Sequence, residues 1–80
     1  MTVKDCLLDE RVQRNTRVII YGNNYYCSLT IPDHVSNFEI KEKFIDSLSS
    51  MNILDKEVES SNYEYVKNIN ERYCGISLKQ

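Results

Sequence analysis

The stretch Thr16-Arg17-Val18-Ile19-Ile20-Tyr21-Gly22-Asn23-Asn24-Tyr25-Tyr26-Cys27-Ser28-Leu29-Thr30-Ile31 decides the fold. Val18, Ile19 and Ile20 are consecutive β-branched residues, stiff at χ1 and suited to a pleated, packed surface. Apolar side chains on both faces of residues 16–21 predict a central strand. Gly22-Asn23-Asn24 supplies residues that tolerate positive φ, as a tight hairpin turn requires. In the returning arm Tyr25, Cys27, Leu29 and Ile31 alternate with Tyr26, Ser28 and Thr30, which predicts one dry face and one wet face. Pro32 ends that arm, because it has no amide to donate to a ladder.

Working outward, Thr2-Val3-Lys4-Asp5 has the form of a helix start, with the Thr2 hydroxyl accepting from the amide three residues on. Val3, Cys6 and Leu7 then share a face, Leu8 lies at its edge, and the pattern fades between Arg11 and Asn15. On the other side of the hairpin, Ser36-Asn37-Phe38-Glu39 reads as a capping box of the S-x-x-E form. Ile40, Phe44, Ile45, Leu48 and Met51 recur at helical spacing up to a stop near Asn52, with Lys41, Glu42, Lys43 and Asp46 facing out.

The last third admits two readings. As strands, Tyr63, Tyr65 and Lys67 alternate with Glu64 and Val66, and Cys74, Ile76 and Leu78 alternate with Gly75 and Ser77, with Asn68 to Glu71 as the turn. As a helix, Ser61-Asn62-Tyr63-Glu64 caps it, Val66, Ile69 and Tyr73 share a face, and Gly75 stops it. The Tyr and Val content favours strands. The predicted fold is α+β in the order α-β-β-α-β-β: a small antiparallel sheet of about four strands with one short and one longer helix packed on one face.

Residues 1–80 read as a single domain, without repeat or linker. A chain of 80 residues that is 41% hydrophobic and 28% charged, with one Pro and two Gly, is globular rather than disordered. A core of this size supplies roughly 3–5 kcal/mol of net stability. The longest apolar run, Val18 to Tyr21, is far short of a membrane span, and the first residues show no basic-then-apolar leader. A cytoplasmic location without membrane contact is therefore expected. Cys6, Cys27 and Cys74 are odd in number, widely spaced and without a C-x-x-C pair, which points to reduced, packed thiols rather than a disulfide framework.

Function classes are bounded by what is missing. His34 is the one histidine, on the loop into the longer helix, and no nucleophile or carboxylate is patterned around it. Gly22 and Gly75 stand alone, so there is no phosphate-cradling loop, and no metal-ligand spacing occurs. An enzyme, a cofactor and a metal are not expected. A net charge of −2 argues against direct nucleic-acid binding.

Two features suit binding. Six of the eight aromatics are Tyr (21, 25, 26, 63, 65 and 73), a residue that gives an interface a large apolar face with a hydroxyl. Tyr26, on the wet face of its strand, is the leading candidate among them. Packing within the strands is the plainer account of the others. Charge is the second feature: Glu39, Glu42 and Asp46 lie in an acidic middle segment that suits a basic partner surface, although a solvated helix face also explains them. Arg11, Arg14 and Arg17, three apart, with Tyr21, form a candidate anion site if the guanidiniums converge. Scattered, solvated charges paired with Asp9 and Glu10 are the simpler account.

Val3-Lys4-Asp5-Cys6-Leu7, Thr16-Arg17-Val18-Ile19-Ile20-Tyr21 and Leu54-Asp55-Lys56-Glu57-Val58 together resemble a pattern found in short accessory proteins of Firmicutes phages and mobile elements. Those proteins open with a helix, continue with a T-x-V-x-I-Y strand and hairpin, and enter a final strand through an L-D-x-E-V segment. The segment from Pro32 to Leu54 departs from that pattern as an insertion, and the hairpin residues follow it only in part. The resemblance implies an anti-defence role in the host cytoplasm, of the anti-CRISPR kind. It frames three expectations. The first is a stoichiometric inhibitor of a bacterial defence protein. The second is a sponge for a nucleotide immune signal, and the third is a structural homodimer that pairs edge strands.

Overall fold

A computed structural model describes the whole of Met1–Gln80. The elements run α1 (Val3–Leu7), β1 (Thr16–Gly22), β2 (Tyr25–Thr30), α2 (Phe38–Asp46), β3 (Val58–Val66) and β4 (Glu71–Leu78), with 3-10 turns over Ser47–Met51 and Lys67–Ile69. The protein is α+β in the order α-β-β-α-β-β, and its last third is strand. The helical alternative opening at Ser61 is excluded: β3 and β4 pair antiparallel from Val58↔Leu78 to Val66↔Glu71. β3 begins five residues earlier than the tyrosine alternation suggested, through the polar stretch Glu59-Ser60-Ser61-Asn62.

The sheet order is β2-β1-β4-β3. Both hairpins are antiparallel, but the central pair, β1 with β4, is parallel, from Thr16↔Arg72 to Tyr21↔Ser77. An all-antiparallel sheet was the expectation, and the connection explains the difference. After β2, α2 and its following 3-10 turn carry the chain across one face of the sheet to the opposite edge. A helical crossover of this length returns the chain to the end from which β2 set out, so β3 runs parallel to β2. Since each hairpin reverses direction once, β4 must then run parallel to β1.

The core lies on one side only. Val18 and Ile20 of β1, Cys74 and Ile76 of β4, and Ile31 beyond β2 are buried against Val3, Cys6 and Leu7 of α1 and Ile45 of α2. Val12, Val35, Ile53 and Leu54 from the connections complete the cluster. The hairpin alternation holds: Tyr25, Cys27 and Leu29 pack against this core while Tyr26, Ser28 and Thr30 face solvent. Shape follows from this one-sided layering, with principal extents of 32 × 28 × 17 Å. No helix is long and apolar enough to cross a membrane.

Helix starts show one agreement and one correction. At α1, the Thr2 hydroxyl accepts from Asp5 N (3.3 Å) and the Asp5 carboxylate accepts from Thr2 N (2.9 Å), a reciprocal capping box. At α2 the cap is Asn37, whose Oδ1 accepts from Ile40 N at 2.9 Å, one residue later than the Ser36 box expected. Four asparagines, Asn15, Asn24, Asn52 and Asn70, take φ between 50° and 66°, and neither glycine does. Asn is the non-glycine residue that enters this region at least cost.

Candidate functional site

Because helices cover one face of the sheet, the other face is bare across all four strands. Strand alternation and register place its side chains in rows. Tyr26 of β2 stands opposite Tyr21 of β1, which is level with Ser77 of β4 and then Ser60 of β3. The next row is Ser28, Ile19, Gly75 and Asn62, and the third is Thr30, Arg17, Tyr73 and Glu64. Tyr26 is 70% exposed and Tyr21 46%. The middle row is low: a Cβ on Gly75 would lie 2.4 Å from Asn62 Oδ1, so the Asn62 amide rests over that glycine. The Tyr73 hydroxyl donates to the Glu71 carboxylate, which raises its pKa. The result is a broad, almost uncharged platform with a tyrosine pair at one end and Arg17, Tyr73 and Glu64 at the other.

The acidic candidates sit on the other side of the molecule. Glu39, Glu42 and Asp46 are exposed on α2, which packs on the covered face of the sheet. Asp46 meets Lys4 of α1 at 3.4 Å and Glu39 meets Lys43 one turn on at 3.9 Å, while Glu42 has no ion pair. The structure therefore does not join Tyr26 and the three carboxylates into one surface. Exposed pairs such as these contribute little to stability, but they lower the net charge the helix presents.

The arginines diverge. Arg11 lies 3.9 Å above the Tyr63 ring and holds Asp9 through Nε–Oδ1 and Nη2–Oδ2 bonds of 2.9 Å each. Those bonds, with the Arg11 amide donating to the same carboxylate, hold the Asp9 pKa down to about 2. Arg17 is on the bare face of β1. Arg14 lines a cleft on the covered side, between residues 10–14 and the start of α2. The converging site that the spacing allowed, with Tyr21 as its fourth member, is not formed.

That cleft contains what sequence reasoning missed. Lys41, expected to face out with its neighbours, is only 5% exposed. Its ammonium donates to the Asp9 carbonyl at 2.6 Å, and burial lowers its pKa. Helical periodicity gave a hint, since 41, 45 and 48 follow one stripe, but lysine is so seldom buried that composition overruled position. The thiols are packed or half-packed: Cys6 and Cys74 are buried, Cys27 is intermediate, and burial pushes Cys74 up to about 12.

No known protein family, no curated protein and no solved structure matches this chain.

Proposed function

We propose that this chain is a non-catalytic protein-binding module that inhibits a bacterial defence protein stoichiometrically, in the manner of an anti-CRISPR, and engages its target through the bare face of the sheet. The observation that carries the reading is the adjacent pair Tyr21 and Tyr26, left in water on a face that no helix covers. Each ring stands on a strand fixed in its ladder, so little backbone freedom remains to be lost on binding, and tyrosine is a frequent interface hot spot. The low middle row, Ser28, Ile19, Gly75 and Asn62, leaves room for a partner's protruding side chains.

The acidic helix surface supports the reading less. With Asp46 and Glu39 paired, only Glu42 is free to attract a basic channel. The nucleotide-sponge alternative loses its site, because Arg11, Arg14 and Arg17 point to three different places. For the homodimer alternative, β3 is the longer edge, but a bulge between Val58 and Ser60 and the exposed Glu59 and Glu64 oppose the addition of another strand.

The test is a phage-challenge assay in cells carrying one defence system at a time, with the chain co-expressed and the target then purified for titration calorimetry. The expected result is one-to-one binding to an immune protein and restored infection. Tyr21→Ala and Tyr26→Ala should each weaken binding by about 2 kcal/mol, roughly 30-fold. Glu39→Lys with Asp46→Lys should change it little. Unimpaired inhibition by the double tyrosine variant would overturn the sheet-face part. Full immunity in every system tested would overturn the inhibitor part.

A further inference from the structure

We propose that the cleft between residues 10–14 and the first turn of α2 binds a small aromatic phosphate monoester, its phosphate between Arg14 and Lys41 and its ring against Phe38. The site lies on the covered side of the molecule, apart from the tyrosine face, and stands or falls independently of it. Its volume is about 400 Å³, within the range of roughly 300–1,000 Å³ usual for small-molecule sites.

Three observations converge there. Lys41 is a buried cation without a direct ion pair: no carboxylate lies within 4.0 Å of its ammonium, and the Asp9 carboxylate, whose charge reaches it, is hydrogen-bonded to Arg11 instead. An ammonium has three protons to donate, and the protein supplies one acceptor, the Asp9 carbonyl. A buried charge is costly unless it is paired, and an anion in the cleft would pair it. Arg14, which lines the same cleft, forms no ion pair either, and its planar guanidinium suits bidentate contact with phosphate oxygens.

The third observation is the apolar part of the lining. Val12 and Val35 are buried among the lining residues, while Phe38, the first residue of α2, is left 57% exposed. A large exposed ring lining the same cleft as two cations without direct ion pairs suits a ligand that is charged at one end and flat at the other. The positive end of the α2 dipole adds to the field of the two cations. Glu10 is the one opposing charge in the lining, which leaves the cleft net positive on a protein that is net negative.

Phenyl phosphate is the probe, titrated at constant ionic strength into isotope-labelled protein and followed by amide chemical shifts. Inorganic phosphate and benzyl alcohol are the controls. Saturable shifts should be confined to residues 10–14 and 35–41, and benzyl alcohol should produce none. Arg14→Ala should weaken binding at least about tenfold. Lys41→Met should do the same, once its spectrum shows the fold retained. Phe38→Ala should reduce phenyl phosphate to the affinity of inorganic phosphate. Arg14 is exposed and has no partner to lose, so its variant folds and the outcome is decisive. Shifts spread over surface lysines, or equal affinity in Arg14→Ala, would overturn the proposal. Benzyl alcohol binding as well as phenyl phosphate would reduce the cleft to an apolar groove.

Discussion

Asp9 shows how a short-range arrangement sets a pH dependence. Its folded pKa of about 2 lies below the ordinary 3.8 because the Arg11 side chain and amide both donate to it. A carboxylate depressed by folding stabilises the native state above its unfolded pKa, and that contribution is lost as pH falls through the folded value. Between about pH 4 and 2 the wild type should therefore lose stability more steeply than Arg11→Ala. Urea midpoints measured across that window would show parallel limbs if the pair has no such role. Arg11→Ala also removes the contact with Tyr63, which offsets the curves without changing their slopes. On the bare face of the sheet, Gly75 is occupied from above by Asn62. Glycine within a strand costs roughly 0.5–1 kcal/mol relative to alanine. In the wild type Gly75→Ala should give no such gain, since Asn62 must move. In an Asn62→Ala background the same change should stabilise, a coupling that a double-mutant cycle by urea denaturation would detect.

At the scale of the element, α2 turns on where it begins. Sequence offered Ser36 with Glu39 as a capping box, and the helix starts instead on Asn37. Both residues are good caps, so local preference could not choose between them. The choice follows from the placement of Val35 and Ile45 in the core, which sets the helical phase. Asn37→Ala should cost about 1 kcal/mol in thermal or urea unfolding, and Ser36→Ala close to nothing. Equal losses would return the cap to Ser36. The hairpins show the same division. The β1–β2 turn was legible because Gly22-Asn23-Asn24 lies between two strongly patterned strands. The β3–β4 turn was less so, since Lys67–Ile69 forms a 3-10 turn ended by Asn70 at positive φ, and a single Asn signals a turn only weakly.

At the scale of the whole molecule, the one-sided core makes thiol chemistry a reporter of global unfolding. Cys6 and Cys74 sit inside the cluster that joins the helices to the sheet, and Cys74 is pushed up to about 12 by its burial. Cys27 lies at the sheet's edge and is only partly covered. Iodoacetamide should therefore label Cys27 of the native protein first. Cys6 and Cys74 should react together, and only as fast as the whole core opens. Mass spectrometry of timed samples checks this, and early labelling of Cys74 would show that the covered face opens locally. The same one-sidedness exposes the tyrosine platform, because α1, α2 and the connections between elements all pack on the other face of the sheet.

Sequence alone determined the strand character of residues 16–31, the dry and wet faces of that hairpin, the helical stripe through Ile45 and the α+β order of elements. Each depends on the alternation or periodicity of neighbouring side chains, information carried within a few residues. Only the tertiary structure decided that the central strands run parallel, because strand direction depends on which end of the sheet the crossover reaches. It also decided that Arg11, Arg14 and Arg17 part company and that Lys41 turns inward to the Asp9 carbonyl. These outcomes arise where elements distant in sequence meet, and no local pattern encodes which faces they present to each other.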